Sequence, residues 1–193
     1  MGRRSKFKLL DAAVKLIGLR GLSGVSVDDI LKESQVQKSN FYYHFATKDA
    51  LMIAALDQMV AKVDEDIWQG ILQDKSLSPK GRLDKLVAKL ISDFETNEGK
   101  TGDPFGNLVA ETGDQNPRFQ EKLNDFFIRY SSYLESVIAE GIEEDEFRQS
   151  LIPREVAEAL LSQIEGAYIL ARAYKDTGAL RRNIEFIVNL ISV

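Results

Sequence analysis

Every proline in this chain stands where a helix can begin, and between the prolines apolar residues recur at helical spacing almost from end to end. No other feature restricts the fold as much. The four pairs are Ser78-Pro79, Asp103-Pro104, Asn116-Pro117 and Ile152-Pro153. In three of them a short polar side chain precedes the ring, where it can cap the helix that proline opens. Alternation of period two is nearly absent, so the pattern predicts an all-α chain of about nine helices. Leu10, Val14 and Ile17 mark one face of a first helix that ends in the glycine-rich stretch 18 to 24. A second helix starts at Ser26, which can cap the amides of Asp28 or Asp29, and runs through Ile30 and Leu31 to about Ser34. After a break at 35 to 38, two turns over 39 to 45 are capped by Ser39 or Lys38, and a long helix follows from Thr47 through Lys62 and Trp68 to about Gln73. The remaining helices are expected near 79–97, 104–112, 117–141, 153–175 and 179–192.

Composition removes much of enzymology. With 193 residues, 44% hydrophobic and 28% charged, the chain is a globular one of a single domain, or a small module fused to a larger one. It has no cysteine and one histidine, His44, which excludes disulfides, thiolate nucleophiles and multi-histidine metal sites. No catalytic residue, cofactor or metal is expected. The acidic run Glu143-Glu144-Asp145-Glu146 reads as a solvated interhelical loop, since consecutive carboxylates do not converge on a cation without a special turn. The glycine-rich stretch lacks both a preceding strand and a following Gly-Lys-Ser/Thr, so it reads as a helix stop. The amino terminus begins like a signal peptide, but Asp11, Lys15 and Arg20 break its apolar stretch, and Lys6 stands where myristoylation needs Ser or Thr. No segment has the length for a membrane span, and a soluble, cytoplasmic protein is expected.

Charge is unevenly distributed. Residues 1 to 51 hold 9 Lys/Arg against 5 Asp/Glu, +4, and residues 52 to 193 hold 16 against 25, −9, which together give the net −5. A basic first quarter on an acidic remainder suits a nucleic-acid-binding module carried by a different domain. Within that quarter, two short helices joined by a tight turn and braced by an amphipathic helix have the dimensions of a helix-turn-helix. Phe41 and Phe45, four apart, can face a core with Ile30 and Leu31, which turns Tyr42, Tyr43 and the polar residues outward. Phenol hydroxyls and ammonium groups donate to phosphate oxygens, and tyrosine rings can pack on thymine methyls.

The stretch Val36-Gln37-Lys38-Ser39-Asn40-Phe41-Tyr42-Tyr43-His44-Phe45-Ala46-Thr47-Lys48-Asp49-Ala50-Leu51 closely resembles the recognition-helix signature of the tetracycline-repressor (TetR) family, and Ser26-Val27-Asp28-Asp29-Ile30 matches upstream. The resemblance implies a DNA-binding helix-turn-helix domain over 1–47 and a helical ligand-binding and dimerisation domain over 48–193. It further implies phosphate contacts from Ser26, Tyr43 and Lys48, and base-edge or mixed contacts from Gln37, Lys38, Ser39, Tyr42 and His44. Where the family commonly has Ala-Gly before the turn valine, this chain has Ser34-Gln35, so a non-glycine is expected in a left-handed conformation. Ser39 replaces a frequent glycine. The family's usual partners are an operator duplex, a second copy of the chain and a small effector, here expected to be partly apolar.

For the effector, aromatic residues interleaved with polar ones nominate Trp68, Asn107, Leu108, Glu111, Tyr130, Gln163 and Tyr168. The last two predicted helices carry more apolar surface than one core face needs, which nominates Leu161, Ile164 and Ile187 for a homodimer contact. Two other functions fit part of the pattern. One is an α-helical enzyme using Glu111 for acid-base work, and the other is a DNA-binding protein with no ligand.

Overall fold

The computed structural model describes residues 2–97, 101–112 and 116–193. Among them lie nine α-helices: α1 (Gly2–Arg20), α2 (Val27–Ser34), α3 (Lys38–His44), α4 (Lys48–Val63), α5 (Pro79–Thr96), α6 (Pro104–Thr112), α7 (Pro117–Glu143), α8 (Pro153–Tyr174) and α9 (Thr177–Ile191). Four of these open on the four prolines, whose fixed φ and missing N–H suit a first helical position. Side-chain caps lie where short polar residues precede a helix. Ser78 Oγ accepts from the Gly81 amide at 3.2 Å, and Thr47 Oγ1 accepts from the Ala50 amide at 3.1 Å. The expected single helix from 47 to 73 is in fact α4 followed by a π-helical segment, Asp64–Leu72. Its wider turns place Ile67, Trp68, Ile71 and Leu72 on one buried face.

The chain forms two compact units, both discontinuous in sequence. The first comprises Met1–Lys62 and Pro104–Leu123, and the second Val63–Asp103 and Asn124–Val193. The first therefore reaches beyond the boundary at 47/48 expected from sequence. It takes in α4, α6 and the start of α7.

In the first unit, α1 packs on α2 and α3. The buried line of α1 is Leu9, Ala13, Leu16 and Ile17, with Leu10 at its edge and Val14 only half-buried. This line meets Ile30, Phe41 and Phe45, a spacing of three and four that gives a helix one apolar face. In the second unit α9 lies against both α8 and α5, and α5 against the π-helical segment. Leu83, Leu86, Leu160, Leu180 and Ile184 fill that core. Arg82 is buried there too, with its guanidinium 2.7 Å from Glu140 and donating to the Leu72 carbonyl at 3.1 Å. A buried cation is tolerable only with such partners. The acidic run at 143–146 forms the turn after α7, where the Glu146 carboxylate accepts from the Lys80 amide at 2.7 Å and so faces the positive end of α5.

Candidate functional site

Within the first unit, α2 begins with a reciprocal cap. Ser26 Oγ accepts from the Asp29 amide at 3.1 Å, and the Asp29 carboxylate accepts from the Ser26 amide at 2.9 Å. Those Ser26 bonds hold the Asp29 carboxyl below its ordinary range. The helix ends at Gln35, whose φ of 55° and ψ of 32° are left-handed, as the departure from the family's glycine implied. The turn then delivers the chain into α3. This helix starts at Lys38, with Gln37 at its N-cap making no side-chain cap bond, so neither Ser39 nor Lys38 is the cap expected from sequence.

The division of α3 into inner and outer faces is clear. Phe41 is fully buried and Phe45 nearly so, whereas Tyr42 and Tyr43 are 55% and 78% exposed. Gln37, Lys38, Ser39 and Asn40 are exposed beside them. His44 is half-buried and shares a 2.9 Å hydrogen bond between its Nε2 and Ser5 Oγ, which fixes the ring against α1. The face that remains is short, polar and aromatic, with no carboxylate from 37 to 48. That is the chemistry for phosphate oxygens and base edges in a major groove.

Glu111, nominated for ligand, and Lys48, nominated for DNA, both bond to the loop between α1 and α2. The Glu111 carboxylate of α6 accepts from the amides of Leu22 and Ser23, at 2.8 and 2.5 Å. Lys48 Nζ donates to the Leu22 carbonyl at 2.9 Å. Together they clasp the loop between α1 and α2. Gly21, at φ +71°, makes the approach possible, since a Cβ there would stand 2.2 Å from Glu111 Oε2. Burial pushes the Glu111 carboxyl up, but the bonds from Ser23 and Leu22 and the Lys48 charge outweigh it and hold the group below its ordinary range. A general acid-base near neutrality needs the opposite shift, so the geometry gives Glu111 a loop-holding role where sequence offered a pocket carboxylate. Nothing in the sequence pattern announced this clasp.

The nominated effector residues divide between the units. Asn107, Leu108 and Glu111 lie on α6 in the first, and Trp68, Tyr130, Gln163 and Tyr168 lie in the second. Trp68 and Tyr130 come together in an aromatic cluster, with ring centroids 6.1 Å apart. Phe126 and Tyr133 lie 5.4 and 5.3 Å from Trp68, and the Arg129 guanidinium sits 4.4 Å from its ring centroid. Both Trp68 Nε1 and Tyr130 Oη are buried without a hydrogen-bond partner, an uncommon and costly condition. Tyr168 packs against Phe94 at 5.8 Å, and its hydroxyl donates to the Leu90 carbonyl at 3.5 Å. Gln163 is turned to α9, donating to Asn183 Oδ1 at 3.2 Å. Sequence reasoning missed Asp103 and Glu165. Burial, then the Asp103 charge, pushes the Glu165 carboxyl up to about 8, and both acids act on the Tyr130 and Tyr168 hydroxyls.

The nominated interface residues also separate. Ile164 is 2% exposed and belongs to the core of its own unit. That burial corrects its nomination for the homodimer contact. Leu161 and Ile187 are half-buried. The exposed apolar residues of the same two helices include Ile169, Tyr174, Phe186 and Leu190, none of which the sequence nominated for the interface.

Residues 9–55 match the bacterial regulatory proteins, tetR family, and residues 79–187 match the tetracyclin repressor-like C-terminal domain. The chain is 30% identical over 187 residues, 96% of its own length and 92% of the relative's, to an uncharacterized HTH-type transcriptional regulator from the lacX 3' region of Lactococcus lactis subsp. lactis. It is 29% identical over 161 residues to the HTH-type transcriptional repressor DhaR of Mycobacterium sp. (strain GP1), covering 83% of this chain and 79% of that one. Its fold superposes on a TetR-family transcriptional regulator from Agrobacterium tumefaciens with a TM-score of 0.91 at 18% identity, over 100% of both chains. With its helix-turn-helix, its outward polar α3 and both halves matched, the chain belongs to the TetR family of DNA-binding transcriptional regulators.

Proposed function

We propose that this regulator is a cytoplasmic homodimeric repressor, without catalytic activity, that a small molecule releases from a near-palindromic operator. Gln37, Lys38, Ser39, Tyr42 and His44 read base edges or make mixed contacts, and Ser26, Tyr43 and Lys48 hold phosphates. Lys48 has donors left after its bond to Leu22. Dimerisation uses the outer face of α8 and α9, with Leu161 and Ile187 at the edge of the exposed Ile169, Phe186 and Leu190.

The observation that carries effector response is the pair of orphaned polar atoms, Trp68 Nε1 and Tyr130 Oη, inside the aromatic interior of the second unit. A buried donor and a buried hydroxyl without partners cost stability that an arriving ligand restores. Helical continuity supports the coupling, because the chain passes from the first unit to the second at 62/63 inside one helical run and at 123/124 inside α7. A ligand acts only through differential affinity for the DNA-competent arrangement. A coupling of ~1 to 3 kcal/mol changes operator affinity roughly 5- to 150-fold, and operator weakens ligand by the same factor. The test is the affinity of a thermally stabilising compound with and without saturating operator. Unequal values support ligand-released repression, and identical values overturn it.

A further inference from the structure

The first turns of α1 carry a charge pattern that the helix itself disfavours. Arg3, Arg4, Lys6 and Lys8 fall within one short stretch, and no acidic residue precedes Asp11. The first turn holds no acid, so its cations stand at the positive end of the helix dipole. Arg4 and Lys8 are exposed and four apart on one face, where like charges repel. Asp11, the first acid to follow, turns its carboxylate to α4, where it accepts from Gln58 Nε2 at 3.0 Å. A pattern that departs this far from local preference marks a functional surface, and an external anion is what compensates it.

Packing sets this surface beside the recognition helix. Ser5 shares its 2.9 Å hydrogen bond with His44 Nε2, and the His44 ring lies 4.8 Å from that of Tyr43, which is exposed on the outer face of α3. Lys6 is taken up by the Phe45 ring, with Nζ 5.9 Å from its centroid. Ser5 adjoins Arg4 and lies three residues before Lys8, so the bond to His44 sets both cations at the His44 end of α3. Their spacing along the helix axis, about 6 Å, is close to the rise of two phosphates on one DNA strand, about 7 Å.

We propose that Arg4 and Lys8 form a second DNA contact, holding phosphates that flank the groove entered by α3, and that Ser5 positions them through His44. This extends the α3 interface and rests on α3 binding DNA. The contact carries no sequence preference, because a cation on a phosphate reads charge alone. Arg4, Ser5 and Lys8 all precede the stretch 9–55 that matches the family.

The experiment measures binding of the full-length protein to a mixed-sequence duplex of about 40 base pairs, from about 50 to about 200 mM KCl. Each phosphate contact contributes about 0.9 to the slope of log affinity against log salt. The Arg4→Ala/Lys8→Ala protein should therefore lose about 1.8 in slope for each subunit bound, which shrinks the affinity lost over that salt range roughly twelvefold. Arg4→Lys/Lys8→Arg, which keeps both charges, should keep the slope. Ser5→Ala removes no charge, yet it should lower the slope, and Ser5→Thr, which keeps the hydroxyl, should restore it. Lys15→Ala, on the same helix but paired with Glu33, should leave the slope unchanged. An unchanged slope for Arg4→Ala/Lys8→Ala overturns the inference, as does an equal fall for Lys15→Ala, since net charge would then explain both. A wild-type slope in Ser5→Ala overturns its positioning role. Lys48→Ala separates this claim from the α3 reading. A slope lowered by Lys48→Ala but not by Arg4→Ala/Lys8→Ala leaves α3 on DNA without the α1 contact, and a wild type that does not bind the duplex at the lowest salt overturns both.

Discussion

Gln35 bears a conformation that its side chain disfavours. An L-residue at φ 55° crowds its Cβ against the backbone, at a cost of roughly 1 to 2 kcal/mol, and the side chain itself is exposed. Gln35→Gly should relieve that strain, less the entropy glycine loses on folding, for a net gain of about 0.5 to 1 kcal/mol. Urea unfolding of the two proteins checks it, and a less stable glycine variant would contradict the account. Glu165 gives a pH signature. Its carboxyl sits at about 8 in the folded chain against 4.5 when unperturbed, so between those values the folded state holds a proton that the unfolded state has lost. Stability contributed by this group therefore falls as pH rises from about 4.5 to about 8, by up to about 1.4 kcal/mol per pH unit. Glu165→Gln should remove the slope. The gap between variant and wild type should widen from pH 5.5 to pH 7.5, and a constant gap would exclude the proposed burial penalty. Gln35 was legible in the sequence, because a known turn marks the position where glycine stands. Asp103 and Glu165 were not, since a field between residues on separate segments leaves no periodic trace.

At the level of elements, the helices were legible because their ends are chemical. Proline opens α5, α6, α7 and α8, and Ser26, Thr47 and Ser78 satisfy first-turn amides with their side chains. The π-helical segment was not, because over nine residues the apolar positions 67, 68, 71 and 72 suit both i to i+4 and i to i+5 bonding. On α3, side chains four and three apart separate core from readout, which gives a prediction in two parts. Tyr43→Phe should weaken binding to all duplexes alike, as loss of a phosphate contact does. Tyr42→Ala should change preference at one operator position, by about 1 to 3 kcal/mol. Gel shifts against single-position operator variants separate them, and parallel loss for both would remove the division of roles. The clasp supplies a third test. Glu111→Ala frees the amides of Leu22 and Ser23 and should cost about 1 kcal/mol or more. Faster hydrogen exchange at those two amides should accompany it, and unchanged exchange would show that α6 does not hold the loop. Hydrogen bonds spanning 89 and 88 residues have no counterpart in local pattern, so sequence offered Glu111 only as a carboxylate among apolar neighbours.

At the scale of the whole molecule, sequence drew one boundary, at 47/48, but each compact unit is made of two stretches of chain. Reading along a chain finds contiguous modules, and a unit that recruits 104–123 to 1–62 is invisible to it because nothing in α6 differs in period from its neighbours. The same limit explains Ile164. Its spacing on α8 marked it apolar, but only packing decides whether an apolar residue faces its own core or another molecule, and 2% exposure assigns it to the core. Surface candidates are those that remain outside: Phe186 at 65% and Leu190 at 51%, four apart on α9. Charge placed there should act on assembly and not on folding, whereas Ile164→Asp would bury an unpaired carboxylate and unfold the chain. Phe186→Glu is therefore expected to yield a folded monomer. A monomer engages one half-site, and losing the linked second contact should weaken operator binding about a hundredfold to ten-thousandfold. It should leave binding to an isolated half-site unchanged. Sedimentation of the variant, with operator and half-site titrations, provides the measurement. A Phe186→Glu protein that stays dimeric would place the interface elsewhere. A wild type that is itself monomeric at micromolar concentration would remove the homodimer from the mechanism altogether.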